Sequence, residues 1–443
     1  MAESSPKIPT TIVTEPHLSA SRRCHCRDSI AAAPAELLAV AARTGPHPKL
    51  PLMRPTHRRL PALCLLLAAS SALLACDNGG EAPAGDAWTW ELPAHFPRPN
   101  VPADNPMSEA KFQLGRHLFY DTRLSGDGEF ACASCHFQEN AFADDRDRPA
   151  GATGQLHPRS SMSLANAAYA ATLTWANPLL TRLEDQALIP MFGDDPIEMG
   201  SPDEATLRTR LQSAADVDYP SLFDTAFPSQ AGEAITLQNI TRALATFQRG
   251  MVSASAPIDR YFEGDSEAIS DSAKRGLNLF NSERFECFHC HGGPTFSSSL
   301  NHEGSLEAER AFHNNGLFNI DGEGAYPPGA QGVFEITQKP LDMGRFRAPS
   351  LRNIAVTAPY MHDGSLLDLD EVIDHYARGG RLIEDGPYAG DGAESPFRSQ
   401  FIPGYRISEE ERADLHAFFD ALTDETFLTS PRFASPFEED TTP

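Results

Sequence analysis

The sequence predicts a mainly α-helical protein built as two similar domains, and three observations carry that expectation. Apolar residues recur at helical spacing while strand-period alternation is scarce. The 443 residues exceed the roughly 250–300 at which one hydrophobic core stops growing. A short segment also occurs twice, about 155 residues apart, as expected of an internal repeat.

The chain opens with what reads as targeting sequence. Arg54, Arg58 and Arg59 precede an apolar run from Leu60 to Ala75, a basic n-region followed by an h-region too short to span a bilayer stably. Met53 sits just before those arginines and is expected to be the true start, with residues 1–52, rich in Pro and Ala, an upstream extension foreign to the native protein. The run ends Leu73-Leu74-Ala75-Cys76, which resembles the lipobox of bacterial lipoproteins. That resemblance implies a lipid anchor at Cys76, the only membrane attachment expected; ordinary signal cleavage beside an incidental cysteine is the alternative. On either reading residues 53–76 are a signal peptide, and the protein is expected in the periplasm of a bacterium.

The 36 Lys and Arg stand against 61 Asp and Glu, a formal charge of −25. Removing residues 1–76 strips nine basic and four acidic side chains and takes the charge to −30. Such acidity repels nucleic acid, which is excluded as a partner.

Residues 77–104 read as a linker. A first domain is expected over 105–264 and a second over 265–443, with Gly264-Asp265-Ser266 at the boundary. In the first, Ala110, Leu114, His117 and Leu118 share helical spacing, and Thr236 to Met251 reads as a helix with Leu237, Ile240, Leu244 and Phe247 on one face. Gly115-Arg116-His117-Leu118-Phe119 matches Gly276-Leu277-Asn278-Leu279-Phe280, and each precedes a cysteine pair.

Of the eight cysteines, Cys24, Cys26, Cys64 and Cys76 fall in the leader, which leaves Cys132-Ala133-Ser134-Cys135-His136 and Cys287-Phe288-His289-Cys290-His291. Two thiols three positions apart can form thioethers to both vinyl groups of one haem, and the adjacent imidazole then reaches its iron. Disulfides, zinc sites and redox pairs also use close cysteine pairs, but none of them needs histidine after both. This composition predicts about 0.005 such pentapeptides by chance, so two covalent haem c groups are expected, held by Cys132, Cys135 and His136 and by Cys287, Cys290 and His291.

With these motifs and their surroundings, the chain resembles the bacterial di-haem cytochrome c peroxidase and MauG superfamily from about Asn105 to about Phe427. The blocks that carry the likeness are Leu114 through His136, Ser163 through Tyr169, Arg347 through Asn353 and Thr357 through Gly364. Trp175 through Gln186 and Pro190 through Gly193 look most like the MbnH branch.

The resemblance implies two cytochrome c-like domains with haem sites near their interface, the haem on His136 reacting with hydrogen peroxide and that on His291 relaying electrons. It places Glu198 as the acid of the peroxide pocket, where a carboxyl group can shuttle the proton that lets the O–O bond break, with Gln186 nearby. His157 is the nearest counterpart of a histidine that other members carry by Gly151 to Gly154; a plain loop hydrogen bond is its other reading. Trp175 matches the tryptophan between the haems and is implied as a stepping stone for electrons, against the alternative of a packed aromatic.

Leu369, Val372, Ile373 and Tyr376 recur at i, i+3, i+4 and i+7, and Gly379-Gly380 ends their helix. By the resemblance Tyr376 falls where cytochrome c peroxidases place an axial methionine and MauG an axial tyrosine. A thioether favours reduced iron, whereas a phenolate, a hard anion, favours the higher oxidation states. Met343, Met361 and His375 are the rival ligands. A calcium ion is also implied, held partly by carbonyls of Thr357 and Pro359, with Ser160 standing where an asparagine is expected.

The leading expectation is therefore a periplasmic di-haem oxidoreductase that uses hydrogen peroxide, through high-valent haems, to oxidise a residue of a partner protein. The MbnH likeness implies a tryptophan on a copper-binding partner. One alternative is a cytochrome c peroxidase fed by a small cytochrome or a cupredoxin; the other is a non-catalytic di-haem electron carrier.

Overall fold

A computed structural model describes residues 88–437. The expected start at Met53, the signal peptide 53–76, the leader cysteines and the anchor at Cys76 lie outside the described residues. Among the described residues no helix is long and apolar enough to cross a membrane.

Helices come in chain order as α1 (Glu109–Tyr120), α2 (Leu183–Gln186), α3 (Leu188–Phe192), α4 (Glu204–Gln212), α5 (Tyr219–Ala226), α6 (Leu237–Gly250), α7 (Pro257–Phe262), α8 (Asp271–Phe280), α9 (Phe334–Thr337), α10 (Leu369–Arg378), α11 (Glu409–Asp420) and α12 (Glu425–Thr429). The longer ones begin at side chains that satisfy the otherwise unpaired first-turn amides. Ser108, Thr236, Ser270, Asp368 and Ser408 each accept from an amide of the first turn of α1, α6, α8, α10 and α11 respectively, and Ser408 and Glu411 cap each other reciprocally. Strand is confined among the described residues to two antiparallel pairs: β1 (Phe312–His313) with β2 (Phe346–Arg347), and β3 (Leu382–Ile383) with β4 (Gly390–Asp391).

The repeat is visible in the packing. A Cβ at Gly115 would lie 2.0 Å from the Ala243 carbonyl oxygen, and one at Gly276 would lie 1.9 Å from that of Asp414. Only glycine lets α1 cross α6, and α8 cross α11, so closely. Four residues on, Phe119 packs on Phe247 of α6 at 5.3 Å between ring centroids, and Phe280 on Phe418 of α11 at 5.1 Å. Phe119 also meets Phe142 edge-on at 5.8 Å, as Phe280 meets Phe296 at 6.2 Å.

The duplication continues beyond the segment read from the sequence. Asn166 and Asn353 are both left-handed, with φ of 62°. Their amides donate to Met251 O and Leu422 O, just past the ends of α6 and α11, at 2.8 and 3.0 Å. Asparagine tolerates this backbone conformation better than most residues.

Two hydrophobic cores follow. The first gathers Phe112, Leu114, Leu118, Phe119, Ile240, Leu244 and Phe247; the second gathers Ile258, Phe280, Phe296, Ile373, Leu415 and Phe418. Phe427 of α12 and Phe433 return from the C-terminal end to join the first core. The stretch read as a linker is packed from Trp88 onward, because its aromatic side chains find partners: Trp88 lies on Phe112 at 5.2 Å and Phe96 is buried against Tyr169. A smaller cluster of Leu317, Phe318, Tyr326, Val333 and Phe346 has Trp175 and Met361 at its edge.

Candidate haem cradles and the pocket between them

Each cysteine pair sits on a single 3₁₀ turn, Cys132–Ser134 and Cys287–His289, with the second cysteine amide donating to the first cysteine carbonyl at 3.2 Å in both. The turn puts both thiols of a pair on one short segment, and all four are free of disulfides. The histidines that follow are held alike. His136 Nδ1 donates to Phe142 O at 2.6 Å, and His291 Nδ1 faces Phe296 O at 3.1 Å and Pro349 O at 3.2 Å. Left-handed backbone at Ala141, Phe142 and Phe296 turns those carbonyls back toward the rings. Burial holds both imidazoles below their ordinary values, His291 at about 4, so each is neutral with Nε2 left for iron. Thiols, neutral imidazole and tethered Nδ1 together are the donor set a c-type haem takes, and it is present twice.

The first motif opens into a cavity of about 280 Å³ lined by Cys132, Cys135, His136, Gln186, Glu198 and Trp175, with His157 and Arg347. Three residues singled out for peroxide chemistry are thus gathered beside one cysteine pair. The His157 ring has two neighbours: Nδ1 meets the Arg159 backbone at 3.0–3.1 Å, the loop bond weighed from the sequence, and Nε2 lies 3.5 Å from Glu198 Oε1. The Trp175 indole N–H donates to Ser160 O at 2.9 Å, which fixes the ring against the cavity wall.

Tyr376 lies on α10 near the other pair. Burial pushes its phenol above the ordinary value; the Cys290 and Cys287 thiols are close enough to add to that shift, and a hydrogen bond from the Asn315 side chain opposes it. Leu369, Ile373 and His375 are the buried residues of α10, whereas Tyr376 is half-buried. His375 is taken up by Asn315 O, 3.0 Å from its Nε2. The Met361 sulfur accepts from Asn315 Nδ2 at 3.3 Å, and Met343 packs at the edge of the small cluster. Asn315, which meets three of the four ligand candidates, was not singled out from the sequence; an asparagine in a loop carries no signal of its own.

Ser160, Thr357 and Pro359 line the same cavity as Trp175. They make a thin cation site: the Ser160 hydroxyl donates to Met361 O, its carbonyl already receives the indole, and none of the three is a carboxylate.

A helical chain with two thiol–thiol–imidazole cradles, one beside each of its two large hydrophobic cores, fits the class of di-haem c-type cytochromes. The profile of the family described as di-haem cytochrome c peroxidase matches residues 109–267. The chain is 34% identical to cytochrome-c peroxidase IdrP1 of Pseudomonas sp. (strain SCT), over 74% of this chain and 85% of that one. It is 35% identical to the methylamine utilization protein MauG of Methylophilus methylotrophus, over 76% and 91%. A crystal structure of a MauG-like protein associated with microbial copper homeostasis is 50% identical, with a TM-score of 0.77 over 79% of this chain and 99% of that one. The chain therefore belongs to the di-haem cytochrome c peroxidase family and is a haem-dependent oxidoreductase.

Proposed function

We propose that this chain is a periplasmic, MauG-like di-haem enzyme that uses hydrogen peroxide to oxidise a residue on a partner protein. Cys132, Cys135 and His136 hold one haem and Cys287, Cys290 and His291 the other. The haems supply the iron that reduces peroxide and the capacity to hold its two oxidising equivalents. The observation that carries the reading is Tyr376 beside Cys287 and Cys290, while the sulfur of Met361 is engaged by Asn315. A tyrosine oxygen at the second iron suits an enzyme that works from the oxidised state, and a methionine suits one that must first be reduced.

The protein's own groups divide the remaining tasks. Glu198 faces the peroxide side of the first cradle and moves the proton from one peroxide oxygen to the other, with His157 at 3.5 Å to hold or share it. Gln186 offers an amide to position the peroxide. Trp175, fixed by its bond to Ser160, carries electrons between the halves.

Half of the aligned residues, over 79% of this chain, are identical in the MauG-like protein associated with microbial copper homeostasis, so the partner we propose is a copper-binding protein and the target one of its tryptophans. The test is peroxide addition to the oxidised holoprotein, followed by mass spectrometry of a co-purified partner. A long-lived spectral change without prior reduction, and oxygen added to a partner tryptophan, are the expected results. Reaction only after reduction, with fast turnover of a small cytochrome or cupredoxin, would make the chain a scavenging peroxidase instead. No spectral change at all would make it an electron carrier.

A further inference from the structure

The arginines turned inward in this fold pair with carboxylates, the buried Arg249 and Arg352 and the partly buried Arg159 alike. Arg249 meets Glu184 at 2.9 Å, Arg352 meets Asp259 at 2.6 Å, and Arg159 meets Glu335. Arg347 departs from that pattern. Among the described residues it has no carboxylate partner; Nε donates to Thr174 O at 3.0 Å and Nη2 approaches the Met162 sulfur at 3.1 Å. A thioether is a weak acceptor, so most of the five guanidinium donors lack a strong one. Burial lowers the group to about 10 with no neighbouring charge to offset it. Arg347 is itself partly buried, and a cation shielded from water without a partner is unfavourable until an anion joins it.

The surroundings show where an anion would lie. Arg347 lines the cavity that holds Cys132, Cys135 and His136, together with the hydroxyl-bearing residues Thr295, Ser297 and Ser350. Its backbone N–H donates to Trp175 O at 2.8 Å, so main chain and side chain together grip Thr174 and Trp175. Thr174 is held at a φ of 63°, costly for a β-branched residue and maintained here by that grip. Two residues on, Pro349 O faces His291 Nδ1.

We propose that Arg347 pairs with a propionate carboxylate of a bound haem and thereby ties that haem to the main chain of Trp175. It is a cofactor-binding and positioning residue rather than a catalytic one. The proposal rests on the two-haem part of the reading above and is independent of the partner's identity.

The shared chemistry is a carboxylate or another small anion, so the test must separate a propionate from free chloride or phosphate. Holoprotein carrying Arg347→Gln or Arg347→Lys is compared with wild type in haem content, in the midpoint potential of each haem and in the resonance Raman propionate bending band. All three proteins are expected to hold two haems per chain. Arg347→Gln should lower the midpoint of one haem, since loss of a nearby positive charge favours the oxidised iron, and should shift the bending band. Arg347→Lys should retain most of the wild-type values. Potentials and band unchanged in Arg347→Gln would overturn the proposal. So would wild-type potentials that move with chloride or phosphate concentration, because the occupant would then be a free ion. Wild-type protein with fewer than two haems would refute the two-haem reading itself.

Discussion

In the proposed reading Tyr376 sets the chemistry of the second cradle, with Asn315 as its hydrogen-bond partner. Replacing the phenol by a thioether in Tyr376→Met is expected to raise the midpoint potential of the second haem and to make the peroxide reaction depend on prior reduction, read by optical redox titration and stopped-flow mixing. Glu198→Gln keeps the shape of the side chain and removes its proton traffic. The rate of peroxide consumption should fall by roughly 10²-fold or more, with peroxide affinity little changed. At this scale the cysteines and histidines were legible because their spacing is itself chemistry. Tyr376 needed the family likeness, and Arg347 and Asn315 were invisible as functional residues, since their meaning lies in partners far away in the chain.

Among the elements, the two helix crossings are the same device used twice. Gly115→Ala and Gly276→Ala each drive a methyl group into a backbone carbonyl that belongs to another helix and cannot rotate away. Each should cost about 1–3 kcal/mol, or more where the crossing cannot widen, and chemical denaturation of the two variants measures it. The matched segments around Gly115 and Gly276 could be read directly, as could the helix from Thr236 to Met251, which forms with those two residues as its caps. The partners α6 and α11 repeat only Leu244 and Phe247 as Leu415 and Phe418, a match too sparse to mark a repeat without the packing. On α10, apolar spacing places Tyr376 in line with Leu369 and Ile373 but gives no sign of His375, which is buried with its Nε2 at Asn315 O.

For the molecule as a whole, charge and chain path matter most. A formal charge of −25 predicts that association with a basic partner weakens as salt rises, by a slower on-rate more than a faster off-rate, which surface-binding kinetics at several ionic strengths would show. The chain path predicts a long-range effect. Phe427 packs on Phe142 at 5.8 Å, and Phe142 O holds His136, although 285 positions of sequence separate the two phenylalanines. Phe427→Ala should cost about 3 kcal/mol and disturb the absorption of the first haem while sparing the second.

That returning tail also imposes an order on assembly. Cys132 and Cys135 are made long before Phe427 and Phe433, so the earlier cradle stays open on one side until the last residues have been added, while the later one is nearly complete by α11. An attachment enzyme working on a growing chain would meet the amino-proximal thiols unshielded for longest, and the finished protein closes over that haem like a drawstring pulled from its far end.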